Sequence, residues 1–529
     1  MTFTGTLKPY QVEAVDKMTD SGQILVAYEM GLGKTCMSIA AVEKLMDQGR
    51  INSPVLVIAL SSLKYQWAKE IIKFSDSNPL VVDGTRKQRE EQYAKAKDWR
   101  KEKIHYIIVN YEAVVNDWDD IKSLELSGII CDEATAIKSF RSKRSKKVKD
   151  LGKSVSIRFA LTGTPVENGR PEEVFSIMQF VNSKVLGRFD IFDETFIVRN
   201  HFGGVQRYKN LPILHRKLKD VTVRKAQTDP DVAPYLPATT HREPLLIPLH
   251  RTARTIYRKI SSDLVDELIE AQDLFGTGFS VASHYGLEKS TFSPEDALRG
   301  SIMSKVTALK MLCDHPKLTV ISANKFLNNT GSGNEYLATA LSSEDLDKLS
   351  KAGSTKVDTL VQYVKDHLES DPDAKVVVFT SYVDMIDIIR EAVPYNSSPY
   401  TGKMNAKEKE DAKTKFQTDP DTRVLVSSDA GGYGVDLPQA NLLINYDLPW
   451  SSGAAVQRNS RIKRASSRWP SIVIQDLLAE GTIEERQYDM LQQKSAIASA
   501  VIDGKGANAD GEFDLTVGSL LKFLQDVRP

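Results

Sequence analysis

Glu29-Met-Gly-Leu-Gly-Lys-Thr35 is the stretch whose reading decides the fold, and Asp132-Glu-Ala-Thr135 answers it far downstream. The first reads as a phosphate-binding loop. A nucleoside triphosphate concentrates negative charge, so its site needs backbone N–H groups, one lysine and a cation. Gly31, Leu32 and Gly33 supply a backbone that curls close to phosphates, and Lys34 reaches the β- and γ-oxygens. The Thr35 hydroxyl is placed to ligate Mg2+. Asp132 would hold that metal from a separate strand, and Glu133 would polarise the attacking water. The strict loop pattern asks for Gly or Ala where this chain has Tyr28.

The surroundings agree with this reading. Ile24-Leu-Val-Ala27 is an apolar run before the loop, and residues 36–45 carry a helical pattern after it. The acidic pair follows the apolar run Gly128-Ile-Ile-Cys131, at the strand end where ligands of open α/β sheets bind.

The 529 residues allow two to four domains; hydrophobic content of 41% and charged content of 26% are ordinary for a globular protein. No apolar run reaches the roughly 18 residues of a membrane span, and the N-terminus lacks the pattern of a secretion signal. Cys36, Cys131 and Cys313 are far apart and form no metal-ligand spacing. The expectation is a cytoplasmic protein, prokaryotic or in a host cytoplasm if viral, with no membrane partner. Lysine plus arginine equals aspartate plus glutamate at 70 each, so polyanion binding must come from local asymmetry. Residues 138–153, with Arg141, Lys143, Arg144, Lys146, Lys147 and Lys149, are either a solvated helix face or a phosphate-tracking surface.

Apolar strands alternating with helical patterns recur over residues 1–170 and again from about Ser354, which predicts parallel sheets covered on both faces. Between them helical periodicity dominates, punctuated by Pro230, Pro234 and Pro237. The second α/β unit has no phosphate loop of its own. One nucleotide site serving two lobes implies that hydrolysis changes how they close.

Read in order, the segments resemble the motif series of superfamily-two helicase-like ATPases, specifically the Swi/Snf group of double-stranded DNA translocases. Leu7-Lys-Pro-Tyr-Gln11 resembles the opening motif, which implies that Gln11 reads the adenine edge. Ser61-Ser-Leu-Lys-Tyr-Gln-Trp67 and Val109-Asn-Tyr-Glu112 resemble DNA-contacting motifs, and Leu161-Thr-Gly-Thr-Pro-Val-Glu-Asn168 the motif that couples ATP state to lobe position. Leu312-Cys-Asp-His-Pro316 and Glu480-Gly-Thr-Ile-Glu-Glu485 resemble further signatures. Residues 427–437 resemble the glycine-rich motif facing nucleotide and DNA, and residues 457–464 the arginine-finger helix. On a helix Arg461 and Arg464 share a face. Two guanidinium groups from the opposite lobe would meet the γ-phosphate only when the cleft closes. Thr135 stands where the group usually has histidine, Lys463 likewise, and Ala465-Ser-Ser467 replaces a glycine–glutamine ending.

The resemblance implies an α/β fold of two RecA-like parallel-sheet lobes with α-helical protrusions between them. The expected divisions are residues 1–235 for the first lobe and protrusion, 236–350 for linker and second protrusion, 351–501 for the second lobe, and 502–529 for a short tail. It implies ATP and Mg2+ as cofactors, held by Gln11, residues 31–35, Asp132, Gly434 and Asp436, with Lys34, Glu133, Arg461 and Arg464 catalytic. Contact with DNA, or coupling to it, falls to Ser61, Tyr111, Thr162, Gly163, Thr164, Ser427 and Gln457. The implied activity is ATP-driven movement along duplex DNA, gripped through phosphates without sequence preference. A strand-separating helicase and a non-hydrolysing ATP-gated clamp are the alternatives. The motifs fill the chain, so a bare motor is expected, its specificity supplied by a protein partner or by DNA structure.

Overall fold

The computed structural model describes residues 3–199, 204–279, 281, 294–429, 435–505 and 516–526. Seven parallel strands form the first sheet, in the order Pro79–Val81, Tyr106–Asn110, Val55–Ala59, Gly128–Asp132, Ile157–Leu161, Gln23–Val26, Thr222–Val223. Its central strands are buried along their whole length, as continuous apolar runs require when helices cover both faces. Register then aligns three strand ends. Val26 pairs with Leu161, and Leu161 with Asp132. The phosphate loop, the acidic pair and residues 161–168 therefore leave the sheet side by side.

The second sheet is also parallel, in the order Ala238–His241, Ser471–Ala479, Leu442–Asn445, Val376–Thr380, Thr422–Ser428, Asn396–Tyr400, with Leu245–Ile247 also pairing to Ser471–Ala479. Two lobes of parallel sheet with helical insertions are thus present. The strands at 238–247, expected in a linker, belong to the second sheet. They lie at its edge with mostly exposed side chains, so no apolar run announces them. The tail is likewise not separate. Helix Val517–Asp526 packs against helix Arg251–Phe275 and joins the core of the second protrusion.

Helix Ile483–Ile502 crosses between the lobes. Its start, Ile483 and Met490, packs in the protrusion core, whereas Ile497, Ala500, Val501 and Ile502 are buried in the core of the first lobe. Burying those four apolar side chains holds the lobes against each other, each worth of order 1 to 3 kcal/mol. Among the described residues no helix is long and apolar enough to cross a membrane.

Candidate active site

Gly31 and Gly33 take φ of +78° and +83°, a left-handed backbone that glycine enters without steric cost, and helix Lys34–Asp47 starts directly after them. Its first N–H groups face the loop, where an anion is favoured. Tyr28 fits because its ring turns away from the loop, buried, and its hydroxyl donates to the Tyr10 carbonyl at 2.7 Å. Gln11 is buried against the same loop. Its Nε2 donates to Leu32 O at 2.9 Å and its Oε1 accepts from Lys8 N at 2.9 Å. An amide has two donors and two lone pairs, so one of each remains for an adenine edge.

Lys34 Nζ lies back on the loop, donating to Tyr28 O at 2.9 Å and Glu29 O at 3.2 Å. Burial lowers its pKa, outweighing the upward pull of Glu133 and Asp132. Asp132 is buried. Its Oδ2 accepts from Trp67 Nε1 at 2.8 Å, and its carbonyl accepts from the Tyr111 hydroxyl at 2.7 Å. Glu133 is a non-glycine residue at φ +47°, a conformation that costs about 1 to 3 kcal/mol and recurs at functional sites. Burial, then the neighbouring Asp132 charge, pushes its carboxyl up to about 7, against the pull of Lys34 and Arg461.

The second lobe supplies the facing wall. A Cβ placed on Gly31 would stand 2.5 Å from Arg464 Nη1, so this guanidinium lies directly against the loop. Arg464 Nη2 pairs with Asp436 at 2.6 Å, while its buried Nε has no hydrogen-bond partner among the described residues. Arg461 is 3% exposed, and its charge acts on the Glu133 carboxyl. The two arginines do not share a helix face as expected. The helix is Ser452–Asn459, and both arginines lie beyond its end, where Leu437 N donates to the Arg461 carbonyl at 2.9 Å.

The seam is joined at Glu167. Its carbonyl accepts from Gly453 N at 3.0 Å and Ser452 Oγ at 2.9 Å, and its carboxylate from Ser451 Oγ at 3.1 Å. Thr162 is buried beside it, Thr164 N donates to Thr162 Oγ1 at 3.1 Å, and Gly163 packs on Met30. Of the DNA-facing candidates, Ser61 is exposed and accepts from Asn110 Nδ2 at 2.7 Å. Tyr111, Ser427 and Gln457 are buried. Gly434 lies outside the described residues. In the basic stretch 138–153, Arg144 pairs with Glu112, and Lys149 Nζ is tucked onto Ser176 Oγ, where burial lowers its pKa to about 7. Trp67, Glu167 and Arg224 at the site escaped the sequence reading. Trp67 and Glu167 carried a signal, since they lie within the motifs at 61–67 and 161–168, whereas Arg224 carried none.

The SNF2-related domain model matches residues 10–318, more than half of the chain, and the helicase conserved C-terminal domain model matches residues 355–466. The chain belongs to the SNF2-related family. It is 27% identical over 538 residues to the DNA repair and recombination protein RAD54B of Gallus gallus, covering 95% of this chain and 55% of that protein. It is 25% identical over 521 residues to the DNA repair and recombination protein RAD54-like of Homo sapiens, covering 94% and 66%. The chain spans about half the length of the first curated relatives it matches. Among solved structures it is similar to the Hef helicase domain of Pyrococcus furiosus, with a TM-score of 0.52, 17% identity, and 91% of this chain and 97% of that one covered. It is also similar to the SWI2/SNF2 ATPase core of Sulfolobus solfataricus in complex with dsDNA, with a TM-score of 0.41, 23% identity, and 94% of each chain covered.

Proposed function

We propose that the chain is a DNA-dependent ATPase that moves along duplex DNA, remodelling it or the proteins on it. The observation that carries this is Arg464 of the second lobe lying against Gly31 of the phosphate loop. A guanidinium from one lobe at the other lobe's phosphate site makes hydrolysis depend on closure. The names of the relatives, which refer to DNA repair and recombination, support DNA as the track.

In this reading an incoming γ-phosphate draws Lys34 off the Tyr28 and Glu29 carbonyls. Glu133 orients water, and Arg461 and Arg464 meet the charge that develops. The Thr35 hydroxyl and the second carboxylate oxygen of Asp132 are hard donors suited to Mg2+. Among the described residues no cluster of three acidic, histidine or cysteine side chains forms a metal cage, which fits a cation that takes its other oxygens from phosphate and water. When bound, it would neutralise charge between the phosphates. Exposed Ser61 and half-buried Asn110 would grip a DNA phosphate. Tyr111, next in the chain, holds the Asp132 backbone, so grip and hydrolysis are one residue apart. Three free thiols suit a reducing cytoplasm, and a protein partner would supply specificity.

The test is phosphate release with and without duplex DNA, followed by triplex displacement beside strand displacement. Stimulation by duplex with triplex displacement alone supports the proposal; hydrolysis indifferent to DNA removes it.

A further inference from the structure

The backbone after strand Thr222–Val223 runs along the outer side of the phosphate loop. Ala27 N donates to Val223 O at 2.8 Å and Glu29 N to Lys225 O at 3.0 Å. Gln227 holds the loop further, donating from its N to Glu29 Oε2 at 2.9 Å and from its Nε2 to Met30 O at 2.7 Å.

Arg224 reaches in two directions. On the loop side, Nη1 donates to Ala27 O at 3.0 Å and Nη2 to Glu29 Oε1 at 2.7 Å. On the other side, Nε donates to Asp503 Oδ1 at 2.7 Å. Asp503 caps the C-terminal end of helix Ile483–Ile502, the helix that crosses between the lobes. One planar fork therefore joins the first residue of the phosphate loop to the last turn of the lobe-crossing helix. Burial lowers the pKa of Arg224, but Glu29 and Asp503 outweigh it and hold the side chain above its ordinary range.

Two clefts flank this joint. A cavity of about 200 Å3, lined by Glu29, Thr164, Gly453, Ser499 and Asp503, lies on one side. Another of about 210 Å3, lined by Lys17, Tyr28, His215 and Ile502, lies on the other. The ion pair therefore borders open space on two sides.

We propose that Arg224 is a positioning residue for hydrolysis. It lets the phosphate loop keep its nucleotide-holding shape when the lobe-crossing helix is seated, so that lobe closure is read at Glu29. The inference rests on the ATPase reading above. Asp503 touches neither nucleotide nor loop, which makes Asp503→Asn the clean probe. Its duplex-stimulated kcat should fall about tenfold, while unstimulated kcat and KM for ATP stay within about twofold. Asp503→Glu should recover most of the stimulation. Arg224→Lys keeps the charge but loses the fork, and should lose stimulation and raise KM several-fold. Equal losses with and without DNA, or no loss in Asp503→Asn at an unchanged melting temperature, overturn the proposal. Absence of duplex stimulation in the unaltered protein would instead remove the ATPase reading itself.

Discussion

Two buried clusters in this molecule set one lysine beside two carboxylates, and they behave oppositely. In the second lobe Lys356 pairs with Asp314 at 3.0 Å and with both oxygens of Glu484 at 2.8 Å. Burial pulls its pKa down, but Glu484 and Asp314 outweigh burial and hold the ammonium well above the usual range. At the phosphate loop the balance reverses. Lys34 is given to backbone carbonyls, burial wins, and Glu133 is left with a carboxyl near neutrality. The first cluster is a joint, tying the end of helix Pro294–Asp314 to the starts of helices Thr355–Ser370 and Ile483–Ile502. The second leaves its charges uncompensated, as a site must that awaits a polyphosphate and a cation.

The largest expected effects separate these roles. Lys34→Ala should cut DNA-stimulated turnover about a thousandfold or more with little change in melting temperature, since no side-chain ion pair is lost. Lys356→Ala should do the reverse, costing about 3 to 5 kcal/mol of stability by stranding two buried carboxylates. Phosphate release beside urea melts measures both. A folded, active Lys356→Ala protein would break the comparison.

Arg461→Ala sharpens it from the other lobe. Stimulated kcat should fall about a hundredfold, with binding of a non-hydrolysable ATP analogue changed less than threefold. Equal losses in both would argue that Arg461 holds the ground state. Glu133 adds a pH dependence. Its carboxyl must be ionised to orient water, so kcat/KM should rise with pH through about 7 and then level. The same shift bears on stability. The folded-state pKa lies above the unfolded value of about 4.3, so the folded state loses stability as pH rises between the two. Glu133→Gln should therefore be inactive yet melt a few degrees higher at pH 8, the gain vanishing near pH 4.

Most of this architecture was legible because buried strands read as unbroken apolar runs. Val55–Ala59, Gly128–Asp132 and Val376–Thr380 announce themselves that way. Strand Asn396–Tyr400, with its proline and two serines, does not, because it is an edge strand and only partly buried. Local spacing also misread the paired arginines. Three apart suggests one helix face, yet the helix stops at Asn459 and the Arg461 carbonyl is bound by Leu437 N instead. The fork of Arg224 was invisible for a plainer reason, since its partners Glu29 and Asp503 lie 195 and 279 residues away in sequence.

The smallest effect tests why Asp132 can stay uncompensated at all. Trp67 Nε1 donates to Asp132 Oδ2 at 2.8 Å, which restrains the carboxylate and leaves its other oxygen for a cation. Trp67→Phe keeps an aromatic ring in a position that is 2% exposed, but removes the donor. Partners that orient a metal-holding carboxylate are typically worth about tenfold or more in metal affinity, and a lost hydrogen bond about 1 kcal/mol of stability. The Mg2+ concentration for half-maximal hydrolysis should therefore rise about tenfold while kcat at saturating Mg2+ recovers. A fall in kcat that Mg2+ does not restore would assign Trp67 to packing alone, and the open cluster would then owe its geometry to the strand, not to the indole.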